Sequence, residues 1–382
     1  MPKTINIAAV QMDAAPAPTD ERLERAELLV TAAAQTDAQL VLLPELFNTG
    51  YAYSDANHEL AETLDGPTAS WMEDAAIRLN VHLAGSLMVR ERSEIYNAML
   101  LFAPDGRMWR YDKTYPWGWE RGYFRGGDGP VVADTDLGRI GMLVCWDVGH
   151  THLWRAYAGR VDLMVIAGCP PDFSNPTFHL PSGVQLTYDD LGPVFSSLKG
   201  EASRVFGDMI DEQAAWLGVP AVNTVGSGHI CTPIPNGRGT LLAFATMAPR
   251  LLKHLPHAGA LEVSADMVDA CKIVGADGQA LAARSQAEGE GFVTAAVTLA
   301  DEPPQPSGEQ PPTRASLLSR LSSDVLLTTL ALPTYRRGVR RAWHCEVAPP
   351  RLPLWSWGVL VGVAAVAGFL LGILIERKRK TL

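Results

Sequence analysis

The chain has 382 residues, 47% hydrophobic and 19% charged, a balance that excludes a disordered chain, a collagen-like repeat and a disulfide-rich mini-scaffold. Its net charge of −10 is uneven: residues 1–301 hold 21 Lys and Arg against 37 Asp and Glu, and residues 302–382 hold 11 against 5. The acidic body argues against nucleic-acid binding, which needs cations to displace phosphate counterions, and the basic tail needs its own explanation.

The elements follow in chain order. Residues 5–10 read as a strand, and 20–37 as a helix capped by Thr19 or Asp20, with Leu23, Ala26, Leu29, Val30 and Ala33 along one stripe. Residues 40–43 form a buried strand halted by Pro44. That leaves Glu45 just past a strand end, where sites in α/β proteins gather. A helix over 68–80, strands over 82–89 and 97–103, a Pro104-Asp105-Gly106 turn and a strand ending at Asp112 and Lys113 come next. Strands over 131–135 and 140–145 meet through Gly138 and deliver Cys145 to another strand end. A helix over 153–158, a strand over 163–167, a helix within 201–217 and a strand over 220–225 continue the α/β alternation. Asp277-Gly278 turns the last hairpin, and 292–299 is the closing strand.

Two Pro- and Gly-rich stretches, 170–200 and 229–258, break this rhythm and read as insertions. Within the second, residues 239–257 combine Leu241, Leu242, Phe244, Met247, Leu251, Leu252 and Leu255 with Arg250, Lys253 and two histidines. That composition suits either an interfacial segment at a greasy entrance to the site or a buried helix or dimer contact.

The catalytic body is expected to end near residue 301. Residues 302–353 then divide into the linker PPQPSGEQPP over 303–312, a short helix over 317–332 and a basic juxtamembrane stretch over 336–341. Residues 354–375, LWSWGVLVGVAAVAGFLLGILI, are 22 residues without a charge, enough at ~1.5 Å rise per residue to cross a bilayer. Trp355 and Trp357 would sit at one interface, and the basic tail 376–382, with Arg377, Lys378, Arg379 and Lys380, at the other. The N-terminal MPKTINIAAVQMDAAPAP does not read as a secretory signal. The expectation is a single-pass C-terminal membrane anchor with a cytoplasmic catalytic domain and the lipid bilayer as partner. Cys145, Cys169, Cys231, Cys271 and Cys345 are scattered without a CxxC pair, so free thiols are expected and no zinc site.

Four blocks carry a resemblance: LVLLPELFNTGY around Glu45, YNAMLLFAPDGRMWRYDKTYPWGWERGYF around Lys113 and Glu120, GDGPVVADTDLGRIGMLVCWD at Cys145, and LGVPAVNTVGSG around Asn223. In order and spacing they resemble the nitrilase superfamily, the carbon-nitrogen hydrolases, over about 300 residues. The resemblance implies a four-layer α-β-β-α sandwich, to which the sequence adds the C-terminal transmembrane helix, and a homodimer or higher homo-oligomer formed through the sandwich. It also implies a Glu45-Lys113-Cys145 triad with Glu120 as a second, substrate-orienting glutamate.

The chemistry is intelligible from the residue types. A thiol with a pKa near ~8.5 needs a base to attack an amide or nitrile carbon, and Glu45 can supply it. Lys113 would offset the repulsion between two glutamates and a thiolate and stabilise the oxyanion. The backbone N–H of Trp146 would complete the oxyanion hole, and Trp119, Asp147 and His150 are candidates for the substrate pocket. Taken singly, Cys145 after IGMLV reads as an inert core cysteine, Glu45 as a surface glutamate and Lys113 as a solvated strand-end lysine; the joint context favours the site.

His150 and His152 lack zinc-ligand spacing, nothing around Cys145 resembles a papain-like signature, and no phosphate-binding glycine loop occurs, so neither metal nor cofactor is expected. Many amidases of the family continue past the nucleophile with an aromatic residue, Asp, a variable residue and Arg-Phe-Pro-Glu. Here Trp146-Asp147-Val148 runs into Gly149-His150-Thr151-His152. The reading is an amidase working through a thioester on small-molecule or lipid-like substrates. Nitrile hydrolysis, membrane N-acyl transfer and an inactive scaffold are the alternatives.

Overall fold

The computed structural model describes residues 3–344 and Gly362. The chain enters along β1 (Lys3–Asp13), passes through α1 (Thr19–Ala34) to β2 (Leu40–Leu42), and through α2 (Pro67–Leu79) to β3 (His82–Glu91), β4 (Glu94–Phe102) and β5 (Met108–Asp112). A second set follows: β6 (Val132–Asp134), β7 (Arg139–Val144), α3 (Thr151–Tyr157) and β8 (Leu163–Ala167). Next come two short strands, β9 (Thr177–His179) and β10 (Gln185–Thr187), and a continuous helical segment, α4, over 201–217. The remaining strands are β11 (Ala221–Thr224), β12 (Gly226–Ser227), β13 (His229–Pro233), β14 (Glu262–Asp266), β15 (Cys271–Val274), β16 (Ala280–Arg284) and β17 (Gly291–Leu299). Helix α5 (Gly237–Ala245) lies between β13 and β14, and a long helical segment, α6, runs over 317–343.

The strands form two large sheets, β12-β1-β2-β3-β4-β5 with β17 also on β1, and β16-β15-β11-β8-β7-β6. Alternation along β1 explains how they stack. Ile5, Ile7 and Ala9 enter a core with Met142, Val144, Val165 and Ile273 of the second sheet, whereas Ala8, Val10 and Met12 meet Ala26 and Val30 of α1 and Met72 and Ala76 of α2. The outer face of the second sheet is covered by α3 and α4 through Trp154, Tyr157, Met209 and Ile210. The result is the expected four-layer α-β-β-α sandwich. Strands buried on both faces must be apolar throughout, which is why 40–42 and 163–167 read as unbroken runs.

Three regions depart from the sequence reading. The Asp277-Gly278 hairpin joins β15 to β16 in the second sheet, but β17 leaves it and pairs antiparallel with β1 in the first. The two insertions, joined by β14 just past the second, fold together into a third sheet, β10-β9-β14-β13. In residues 239–257, Leu241, Phe244 and Leu251 are buried, whereas Leu242, Leu252 and Leu255 are half-buried and Met247 is exposed. Most of that apolar face therefore packs inward, as the buried-helix alternative expected.

The third departure is the segment read as a linker. Ser307 N–H donates to Trp216 O at 3.1 Å, Gln310 Nε2 to Thr151 O at 2.8 Å, and Thr313 Oγ1 to Gly149 O at 2.7 Å. Residues 303–316 thus form a strap bound across the body. Proline-rich composition suits such a strap because each proline arrives with φ restricted and less entropy to lose.

The helix after it extends to Trp343, well beyond 332. Ala331, Tyr335 and Val339, at i, i+4 and i+8, face the body, and Arg336, Arg337, Arg340 and Arg341 face outward. Tyr335 Oη donates to Glu94 at 2.5 Å and accepts from Ile95 N–H at 3.0 Å. Gly338 lies so close to the His58 ring that any Cβ would collide with it. Among the described residues no helix is long and apolar enough to cross a membrane. The segment 354–375, read as a membrane span, lies outside them apart from Gly362.

Candidate active site

Glu45, Lys113 and Cys145 follow β2, β5 and β7, and the strand ends bring them together with Glu120 from the helical turn Gly118–Gly122. Lys113 Nζ donates to Glu45 Oε1 and to Glu120 Oε2, each at 2.7 Å, and all three side chains are buried. Glu45 Oε1 also accepts from Asn97 Nδ2 at 2.7 Å, and Oε2 from Cys169 N–H at 3.0 Å. Asn97 is itself held by Ser86 Oγ at 2.8 Å, while its own carbonyl accepts from Lys113 N–H at 2.8 Å. Glu120 accepts from Tyr51 Oη at 2.5 Å and from Trp117 N–H at 2.9 Å. Each carboxylate is therefore held on both oxygens, which is what a buried charge requires.

Cys145 opens a helical turn, Cys145–Gly149, with φ of 49°. A non-glycine residue in this left-handed region carries strain, and such strain gathers at functional sites. Burial, then the Glu45 charge, pushes the thiol well above its ordinary value, with Lys113 pulling the other way. Burial also raises Glu45, against the attraction of Lys113. For Lys113, burial opposes the charge, but Cys145, Glu120 and Glu45 outweigh it and hold the ammonium well above the usual range. The site thus places a thiol that resists ionisation beside a carboxylate of raised basicity.

The pocket candidates separate. Trp119 lines a cleft that opens at Cys145, Glu120 and Trp146 and holds about 900 Å³ of empty space, its open mouth included. Asp147 does not line it. Its carboxylate accepts from Tyr111 Oη at 2.8 Å, Tyr115 N–H at 2.8 Å and Val144 N–H at 3.2 Å, so it fixes the turn that carries Cys145. His150 is also set behind the wall, stacked on Tyr115 at 3.7 Å. Asn223 donates to Ala270 O at 2.7 Å and supports the second sheet. Among the described residues no cluster of His, Cys, Asp or Glu could hold a metal ion.

Sequence reasoning missed much of the site. Tyr51 lay inside the Glu45 block and Asn97 inside the Lys113 block, but neither drew notice, because an amide and a phenol gain a role only from the carboxylate beside them. It also missed α6. Asp324 accepts from Trp146 Nε1 at 2.9 Å and pairs with His150 Nε2 at 3.1 Å, and Ser319, Ser322, Ser323 and Leu327 line the cleft. Both α4 and α6 widen into a π turn, Arg204–Asp208 and Ser322–Leu327, where they border the cleft. Local π geometry is uncommon and favours such functional edges.

A buried lysine is thus clamped between two glutamates beside a cysteine with a left-handed backbone. The carbon-nitrogen hydrolase family model matches residues 6–181. A nitrilase of Pyrococcus abyssi is 30% identical over 147 residues, covering 37% of this chain and 56% of that protein. The chloroplastic omega-amidase of Arabidopsis thaliana is 29% identical over 154 residues, covering 36% and 42%. The chain spans about half the length of the curated relatives it matches. Among solved structures, an amidase from Nesterenkonia sp. superposes with a TM-score of 0.55 at 20% identity, covering 76% of this chain and 89% of that one. A CN-hydrolase superfamily protein of Xanthomonas campestris gives 0.55 at 18%, covering 78% and 91%. The structural likeness establishes the nitrilase-like fold, and the family model and the relatives support the nitrilase superfamily. Together they are consistent with a carbon-nitrogen hydrolase.

Proposed function

We propose that the chain hydrolyses non-peptide carbon-nitrogen bonds, amides in preference to nitriles, through a Cys145 thioester. The observation that carries this reading is Lys113 Nζ at 2.7 Å from both Glu45 and Glu120 beside the strained Cys145. As Sγ attacks the amide carbon, its proton passes to Glu45. The oxyanion is met by Lys113, two of whose three donors are held by the carboxylates, and by the backbone N–H of Trp146. Glu45 then returns the proton to the departing nitrogen, and amine and thioester result. Water, activated by the same carboxylate, attacks the thioester, releasing the acid and restoring the thiol.

Aromatic walls favour an acyl group with an apolar body. The sequence alone supports the C-terminal anchor over 354–375 with the catalytic body on the cytoplasmic side, and the resemblance supports a homodimer. Incubation with apolar amides and nitriles, with and without competing amines, separates the outcomes. Free acid as the main product supports hydrolysis, and acyl-amine as the main product supports acyl transfer. A thiol probe that fails to label Cys145, with no turnover, favours the scaffold.

A further inference from the structure

The cleft holds a second acid outside the catalytic cluster. Glu201, the first residue of α4, is 4% exposed and lines the cleft. Its Oε1 has no hydrogen-bond partner among the described residues, and no ion pair to it is found there. Leaving a buried acceptor unpaired costs about 1–3 kcal/mol, more when it is charged, so such a group calls for an explanation. Neighbouring cations do not supply one. Lys199 pairs with Asp189, and Arg204 is exposed.

The surroundings narrow the ligand. Tyr188, Phe195, Phe178 and Phe244 form one linked aromatic cluster on the cleft, with ring centroids 5.0–6.2 Å apart along it. The Glu201 charge, after burial, helps to raise the Tyr188 phenol, which places the two groups within electrostatic reach. No Lys, Arg or His is among the described residues lining the cleft. Ring faces carry negative potential and attract cations, and here they share a wall with an unpaired carboxylate. Glu120, at the Cys145 end, is already paired with Lys113, whereas a substrate carboxylate at the Glu201 end would meet an unpaired acid and those ring faces with no cation among the described residues lining the cleft beside them.

We propose that Glu201 and the Tyr188–Phe195 aromatic cluster form a subsite for a cationic group, an ammonium carried on the apolar body of the amide substrate. This rests on the hydrolase reading of Cys145 and adds the substrate class.

The test uses the full-length protein and three amides: 4-(aminomethyl)phenylacetamide, its 4-ethyl isostere and 4-carboxyphenylacetamide. Wild type should favour the ammonium compound over the ethyl one by about tenfold or more in kcat/KM, with the carboxylate poorest. Glu201→Gln should collapse the ratio of kcat/KM between the ammonium and the ethyl compound to within about twofold of unity. As a check independent of the variant, benzylammonium should slow alkylation of wild-type Cys145 more than benzyl alcohol does. Turnover of all three amides with no ammonium preference, or a preference unchanged in Glu201→Gln, overturns the subsite and spares the hydrolase reading. Protection of Cys145 by benzylammonium with no amide turned over does the reverse.

Discussion

Glu45 and Asp324 both accept hydrogen bonds on each carboxylate oxygen at the margins of one site, yet their environments push them in opposite directions. Glu45, sealed beneath the strand ends, is raised by burial against the attraction of Lys113. Asp324, on α6, is also penalised by burial, but the bond and charge of His150 and the bond from Trp146 outweigh it and hold the carboxyl below the usual range. The first acid therefore holds a proton more readily than an ordinary carboxylate. The second is tuned to stay ionised and pin the indole next to the nucleophile. The framework of the two sheets provides the reactive centre, and a segment reaching it nearly 180 residues after Cys145 closes the wall.

Breaking the centre has the largest effect. Cys145→Ala should reduce turnover by on the order of 10⁴-fold while thermal denaturation shifts stability by no more than about 1 kcal/mol. Retained turnover would refute the mechanism. Lys113→Met leaves two buried carboxylates without their cation. It should abolish measurable turnover and destabilise the fold by about 3–5 kcal/mol, as read by urea unfolding.

Asp324→Ala probes the wall. With Trp146 and His150 unpinned, kcat should fall about tenfold, whereas Asp324→Asn, which keeps an acceptor for the indole, should recover part of the loss. An Asp324→Ala enzyme with unchanged kcat would reduce α6 to a cover. Titration sharpens the same contrast. Glu45, raised above 4.5 in the fold, contributes stability at low pH that is lost as pH rises through its folded value, and its protonation should place the acid limb of kcat/KM above pH 4.5. Asp324, depressed below 3.8, contributes stability above that value that is lost as pH falls through its folded value. Urea midpoints for Asp324→Asn against wild type should converge as pH falls below 3.8. The smallest effect is expected at the exposed Arg341–Asp55 pair, 3.0 Å long, where Arg341→Gln should change stability by no more than about 0.5 kcal/mol.

The sequence alone carried the succession of strands and helices along the chain, though not the sheet that β17 joins, because strands buried on both faces leave apolar runs bounded by Pro and Gly. The resemblance marked Glu45, Lys113, Glu120 and Cys145, and the fold brings these four together, three of them just past strand ends. What the sequence hid was long-range. Asp147 and His150 sit near the nucleophile in sequence, but the turn aims them behind the wall, and linear proximity says nothing of side-chain direction. Residues 303–312 have a linker's composition, and only the hydrogen bonds to Gly149, Thr151 and Trp216 reveal a strap. Tertiary structure alone decided the pairing of Asn97 with Glu45, of Asp324 with Trp146, and the isolation of Glu201, because burial and hydrogen bonding depend on which distant segments meet, and a polar residue acquires its chemistry only from the neighbours that folding places beside it.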